Sequence, residues 1–291
     1  MTGGGFDLHT HSLASDGVLL PAELVKLATA STSGIALTDH DTVAGLDEAA
    51  AEAGRRGFPF IPGVELTTDY GPYEVHVLGY FIDRRHPSLI ERLDMVARDR
   101  SRRAQEIVAR LAGLGFPVAW EEVLAQTHGS AVGRPHILNA LIAAGLVARD
   151  RSEAFFSAFL AKGAPAFVPH RELPTEEAVG LAAAAGGVPV LAHPGRICAD
   201  GLLPRLVEMG IRGLEIHYPA HSPAETFEYA RLAAHYGLIP TGGSDFHGKP
   251  GGPTLGLAVA GWQSVHDLAK CAGAVGEVFL ATLNITEEGV K

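Results

Sequence analysis

Short apolar runs recur along the chain, and each closes on a polar or acidic group. They are Phe6 to His9, Ile35 to His40, Phe60 to Glu65, Tyr73 to Tyr80, Val188 to His193, Gly213 to His217 and Leu238 to Asp245. Their length and enrichment in β-branched residues predict strands. Between most of them lie stretches of helical character: Pro21 to Ala30, Gly45 to Arg56, Thr175 to Ala185 and Pro223 to Tyr236. Strand and helix in alternation predict a parallel α/β architecture with buried strands. Six or more such units suggest a barrel. A doubly wound sheet is the alternative, although no Gly-x-Gly-x-x-Gly follows the first strand, as a dinucleotide fold would often show.

One segment breaks the rhythm. From about Arg84 to Pro165 no strand pattern is evident, and Leu89, Leu93, Val96, Ala104, Ile107, Val108, Leu111 and Leu114 recur at helical spacing. The expected organisation is therefore a barrel built from residues 1–83 and 166–291, with residues 84–165 inserted as a helical cap. The insertion holds 12 Arg and Lys against 8 Asp and Glu, while the remainder holds 11 against 25. A basic insertion is thus joined to an acidic body. The run Arg98, Arg100, Arg102, Arg103 reads by itself as an ordinary solvated helix face.

Composition narrows the classes. With 47% hydrophobic and 19% charged residues in 291, the chain is globular rather than disordered. The apolar stretch Ala178 to Ala192 is 15 residues and is interrupted by Gly186, Gly187 and Pro189. A membrane helix needs roughly 20, so no membrane association is expected. The first residues carry neither a basic nor an apolar leader pattern. Cys198 and Cys271 lie far apart without metal-ligand spacing, which fits a reducing cytoplasm. A pI of about 5.7 argues against a nucleic-acid binder that acts without chemistry.

Histidine is the uneven feature: there are 14. His9 and His11 are two apart at the end of a strand, so both side chains leave on one face. Asp245 and His247 repeat that spacing near the other end of the chain. Asp16 sits in Ser15-Asp16-Gly17, and His40 follows Thr38-Asp39. Glu65 closes Pro62-Gly63-Val64-Glu65, and His193 heads His193-Pro194-Gly195-Arg196. A barrel brings strand C-termini to one face and gives these distant residues a shared location. His76, inside Val75-His76-Val77, is the exception, because a lone histidine within a strand is more often structural. The nine comprise six imidazoles and three carboxylates, too many for one ion. Mixed nitrogen and oxygen donors without thiolate suit Mn²⁺, Fe²⁺ or Zn²⁺. At about three protein ligands per catalytic ion, nine serve three. Asp7, Asp39 and Asp41 are adjacent acids that could orient the histidines as outer acceptors.

The combined motif resembles the polymerase and histidinol phosphatase (PHP) family. The matching residues are Asp7-Leu8-His9-Thr10-His11-Ser12, Ser15-Asp16-Gly17, Leu37-Thr38-Asp39-His40-Asp41 and Gly63-Val64-Glu65. Val75-His76-Val77, Ala192-His193-Pro194 and Gly243-Ser244-Asp245-Phe246-His247 complete it, in the family's order. The resemblance implies a distorted (β/α)₇ barrel with a helical insertion and a di- or trinuclear site that hydrolyses phosphate esters. By motif position it gives His9, His11, Glu65 and Asp245 to one ion, Glu65, His76 and His193 to a second, and Asp16, His40 and His247 to a third. Mn²⁺ is the first expectation, with two to three ions per chain. His9, His11, Glu65, His193, Asp245 and His247 would be the catalytic set.

Within the family the chain looks most like the small stand-alone enzymes that remove the 3′-phosphate from nucleoside 3′,5′-bisphosphates, relatives also associated with 5′-to-3′ trimming of short RNA. The shared features are the helical insertion, Gly133-Arg134-Pro135-His136 within it, and Ala192-His193-Pro194-Gly195-Arg196. Arg134 and His136 flank a proline-started helix whose free N–H groups suit an anion. Arg196 could bind a phosphate bidentately, and structural pairing with an acid is its alternative role. His221 resembles a substrate-side histidine of these relatives. His170, His217 and Tyr218 read as loop or packing residues, and His128 as a surface residue. In the expected mechanism a metal-activated water attacks phosphorus while Arg134, His136 and Arg196 anchor the phosphates. Histidinol-phosphate hydrolysis is the rival within enzymes, and a non-catalytic metal-stabilised binding module the rival outside them. No protein partner is indicated.

Overall fold

The computed structural model describes residues 4–127, 132–169, 173–197 and 201–283. His128, His170 and Cys198 lie outside the described residues. Seven strands form one sheet in sequence order: β1 (Phe6–Asp7), β2 (Gly34–Leu37), β3 (Phe60–Tyr70), β4 (Tyr73–Tyr80), β5 (Val188–Leu191), β6 (Gly213–His217) and β7 (Ile239–Gly242). The sheet curls until its ends nearly meet. Just past β1, Leu8 donates to the carbonyl of Gly242, the last residue of β7, at 3.2 Å, and Asp245 donates to that of His9 at 2.9 Å. Closure excludes the doubly wound alternative, whose edges stay open. Gly243 makes the approach possible, since a Cβ there would collide with the backbone and Cβ of His9.

The strands are not all parallel. β4 runs antiparallel to both β3 and β5, whereas the other neighbouring pairs are parallel. The cause is local: β3 returns directly into β4 through a tight turn with Gly71 at φ +59°, leaving no room for a crossover helix. Helices α1 (Pro21–Ala28), α2 (Leu46–Arg56), α7 (Thr175–Ala184), α8 (Leu203–Met209), α9 (Pro223–Tyr236), α10 (Trp262–Cys271) and α11 (Ala274–Thr282) accompany the barrel. Pro21 and Pro223 stand in the first turns of α1 and α9, where a missing N–H costs nothing. Leu8, Ala36, Ile61, Leu78 and Val190 form a core with Val265 and Leu268 of α10.

The chain divides into two compact units, Met1–Ile90 with Leu173–Lys291, and Glu91–Glu172. Elements α3 (Pro87–Gly113), α4 (Trp120–Ala125), α5 (Arg134–Ala143) and α6 (Ser152–Phe155) fill the intervening stretch. The second unit has its own apolar core, including Ile107, Leu111, Val123, Ile137, Leu141 and Leu160. Arg98 and Arg102 pair with acids on their own helix, Asp94 and Asp99. Among the described residues, no helix is long and apolar enough to cross a membrane.

Candidate metal centre

Glu65 is the hub. It lies on β3 with no solvent exposure, and the chain following β2 runs beside it, with Asp41 donating to its carbonyl at 2.8 Å. That pairing brings His40 Nδ1 to 3.2 Å from Glu65 Oε2. His9 Nε2 stands 3.0 Å and His11 Nε2 3.2 Å from the same oxygen. The other oxygen, Oε1, has His76 Nδ1 at 2.7 Å and His193 Nε2 at 3.1 Å. His76 reaches the cluster because β4 is reversed. Its N-terminal half occupies the barrel mouth where the parallel strands end, so a residue inside a strand is still at the site.

A second carboxylate closes the group. Asp245 Oδ1 is 3.2 Å from His11 Nε2 and 3.6 Å from His9 Nε2. Its Oδ2 accepts from the Tyr218 hydroxyl at 3.0 Å and from Arg196 Nη2 at 3.0 Å. Asp245 holds φ +56° and His193 φ +27°, a conformation that non-glycine residues adopt only when their surroundings over-determine it. Asp16 stands to one side, with Oδ1 2.9 Å from His247 Nε2 and Oδ2 3.0 Å from Lys249 Nζ. His247 Nδ1 donates to the Asp245 carbonyl at 2.8 Å, which turns Nε2 toward Asp16.

Outer contacts lock these rings. His9 Nδ1 donates to Glu215 Oε1 at 3.0 Å, and the His193 amide donates to Glu215 Oε2 at 2.7 Å. Glu215 is buried in β6, and the sequence reading missed it. Its only signal was a carboxylate inside an apolar strand. The acids considered as acceptors for the histidines accept from backbone amides and serine hydroxyls. Asp7 accepts from Ser244 N at 2.8 Å and Gly256 N at 2.8 Å, and Asp39 from Ser12 N at 2.7 Å and Ser15 Oγ at 2.6 Å. Asp41 accepts from Thr67 N at 2.9 Å. Tyr218, read from sequence as packing, instead donates to Asp245.

Burial works against charge here, and mutual attraction overrides it for part of the cluster. Burial would raise Glu65, but His40, His9 and His76 hold it well below the usual carboxylate range. For His11 and His76 burial also opposes charge, yet Asp245 and Glu65 push His11 up to about 9, and Glu65 with Glu74 pushes His76 to about 10. In His40 and His193 burial wins and pushes the imidazole below its ordinary value. Asp7 is pushed by burial to about 6, with Ser244 opposing.

The donor set fits metal ions. His11 Nδ1 and Nε2, Asp16 Oδ1 and His40 Nδ1 are buried without a hydrogen-bond partner, a costly arrangement unless a cation satisfies them. Among the described residues three groups have ligand atoms within 4.8 Å of one another: His9, His11, Glu65 and Asp245; His11, Asp16, His40 and His247; and His40, Glu65 and His76. His193 meets the third through Glu65. All nine sequence-selected ligands therefore converge on one cluster.

The expected substrate contacts are placed differently. Arg196 leans on Asp245 and on the Tyr218 hydroxyl and ring, the acid-paired arrangement that was its alternative reading. His221 uses both ring nitrogens within the chain, Nδ1 donating to the Ile216 carbonyl at 3.0 Å and Nε2 accepting from Gly195 N at 3.4 Å, so it braces the His193 loop. Arg134 and His136 belong to the other unit. Arg134 donates to the Leu160 carbonyl at 3.1 Å with Phe156 and Phe167 against its guanidinium, and His136 Nδ1 accepts from Gly133 N at 3.0 Å.

Comparison with known proteins agrees with this geometry. Residues 7–117 match the PHP domain family. The chain is 37% identical to a 3′,5′-nucleoside bisphosphate phosphatase from Chromobacterium violaceum, over 83% of this chain and 86% of that protein. It is 36% identical to the 5′-3′ exoribonuclease Rnm of Escherichia coli, over 83% and 85%. A crystal structure from Bifidobacterium adolescentis, of a protein inferred to be a metal-dependent phosphoesterase, superposes with a TM-score of 0.83 at 32% identity, covering 92% of this chain and 96% of that one. A nearly closed seven-stranded barrel, a histidine-rich cluster around one buried glutamate and these relatives together establish that the chain belongs to the PHP family of metal-dependent phosphoesterases, hydrolases of phosphate esters.

Proposed function

We propose that this enzyme removes the 3′-phosphate from nucleoside 3′,5′-bisphosphates, giving a 5′-monophosphate and inorganic phosphate, and that short RNA with a 5′-phosphate is trimmed 5′-to-3′ at the same centre. The reading rests on one observation: five imidazoles meet Glu65, with Asp245, His247 and Asp16 adjoining them, in a chain similar to a bisphosphate phosphatase. His9, His11, Glu65 and Asp245 would hold one ion, Glu65, His76 and His193 a second, and Asp16, His40 and His247 a third, with Mn²⁺ proposed and Fe²⁺ or Zn²⁺ as alternatives. Such ions supply a water acidified to a pKa of roughly 7 and positive charge for the phosphoryl oxygens. A cytoplasmic location goes with the proposal.

The protein's own groups do the rest. Glu215 keeps His9 in the tautomer whose Nε2 faces the cluster, and Tyr218 and Arg196 turn Asp245 Oδ1 inward. Arg196 carries five N–H donors, and those not spent on Asp245 and Tyr218 are available to a phosphate. Arg134 and His136, on the insertion, are proposed to bind the second phosphate. That phosphate is the handle, worth about 10- to 150-fold for a charge-assisted contact of about 1.5–3 kcal/mol. The test is phosphate release with Mn²⁺ from pAp, 3′-AMP, histidinol phosphate and a short 5′-phosphorylated RNA. Efficiency on pAp should exceed that on 3′-AMP by this factor. Equal efficiency, or faster turnover of histidinol phosphate, would refute the assignment, and hydrolysis of no ester at all would favour a non-catalytic module.

A further inference from the structure

A cleft of about 290 Å³ opens beside the cluster, at the turn joining β3 to β4 and the loop after His193. Its lining is divided in character. His76, His193 and Arg196 form its polar part, while Pro72, Tyr73 and Ile197 form its apolar part. Tyr73, 43% exposed, opposes Tyr70 at the end of the hairpin. The Glu74 carboxylate also lines the cleft, 3.5 Å from His76 Nε2.

We propose that this cleft is the nucleobase subsite, with the Tyr73 ring as its stacking surface; the inference rests on the nucleotide reading above. The phosphate to be cut must reach the ions that Glu65, His76 and His193 would hold, and these two histidines line the cleft. The rest of the substrate then extends away from them, and the adjoining space has an aromatic ring, a proline and an isoleucine, which suit a neutral, flat group. Glu74 disfavours a second phosphate there and suits the amino group of a base. The volume lies at the lower edge of the roughly 300–1,000 Å³ typical of small-molecule sites, room for one nucleoside and not for a stack of several. A base stacked on an aromatic side chain contributes about 5- to 150-fold in affinity.

The experiment compares wild type, Tyr73→Ala and Tyr73→Phe, each loaded with Mn²⁺ and checked for metal content. Substrates are pAp and the abasic analogue 1-deoxyribose 3,5-bisphosphate. Wild type should prefer pAp by about 5- to 150-fold. Tyr73→Ala should lose that preference through kcat/KM on pAp while leaving the abasic compound unchanged, and Tyr73→Phe should restore it. Equal loss on both substrates, or no loss on pAp, overturns the stacking role while leaving the phosphatase reading standing. Should wild type hydrolyse neither compound, the nucleotide reading itself fails and the subsite with it.

Discussion

Glu215→Gln isolates the role of the residue behind the metal cluster. Glu215 presents two anionic oxygens to two donors, His9 Nδ1–H at 3.0 Å and the His193 amide at 2.7 Å. Glutamine has nearly the same shape but only one acceptor, and its NH₂ must face one of those donors. If it faces His9, the imidazole can accept from it only by moving its proton to Nε2, the nitrogen 3.0 Å from Glu65, which removes His9 as a ligand. If it faces His193, two buried donors oppose each other and the loop carrying His193 is displaced. One charge-assisted bond is lost either way, about 1.5–3 kcal/mol or ~10- to 150-fold. That range overlaps the ~10- to 100-fold loss usual when a metal-ligating histidine loses its outer partner. The assay is a Mn²⁺ titration by calorimetry alongside phosphate release at each Mn²⁺ concentration, with circular dichroism confirming the fold. The Mn²⁺ needed for half-maximal activity should rise by about 10- to 100-fold. A Glu215→Gln protein that titrates and turns over like wild type would refute the argument.

Elemental analysis of protein purified with Mn²⁺ should find two to three ions per chain, and His9→Ala or Asp245→Ala should lose both metal and activity; full activity after exhaustive chelation would contradict this. Because Asp245 and Glu65 push His11 up to about 9 and Glu65 pushes His76 to about 10, both hold protons at neutral pH until a cation displaces them. Apparent Mn²⁺ affinity should therefore rise between pH 6 and pH 9, by about tenfold per pH unit for each proton released, and calorimetry at several pH values would detect a flat profile. Tyr218→Phe removes a donor to Asp245 Oδ2 and should weaken Mn²⁺ binding with KM little changed, whereas an unaltered titration would return Tyr218 to a packing role. Arg134→Ala should leave metal content unchanged and lower kcat/KM on pAp by about 10- to 150-fold, and wild-type efficiency would make Arg134 structural only.

The sequence by itself determined the alternation of strands and helices and the residues able to bind metal. Both are written in local spacing: apolar runs of strand length, and His9 with His11 or Asp245 with His247 on one face of extended chain. Chemistry of this kind is local, because a side chain's donor atoms do not depend on the fold. Only the tertiary structure decided where those donors point. His76 looked structural because a histidine inside a parallel strand would lie away from the mouth, and the reversal of β4 is set by the short β3–β4 turn together with pairing to β5, where Tyr80 meets Val188. Glu215 and Tyr218 carried no periodic signal, since their partners His9 and Asp245 are 206 and 27 residues away. Arg196 had two reasonable partners from sequence, a phosphate or an acid, and the closure of the barrel set Asp245 beside it. Contacts of such separation depend on register and closure, which arise only when the whole sheet assembles and which no window along the chain contains.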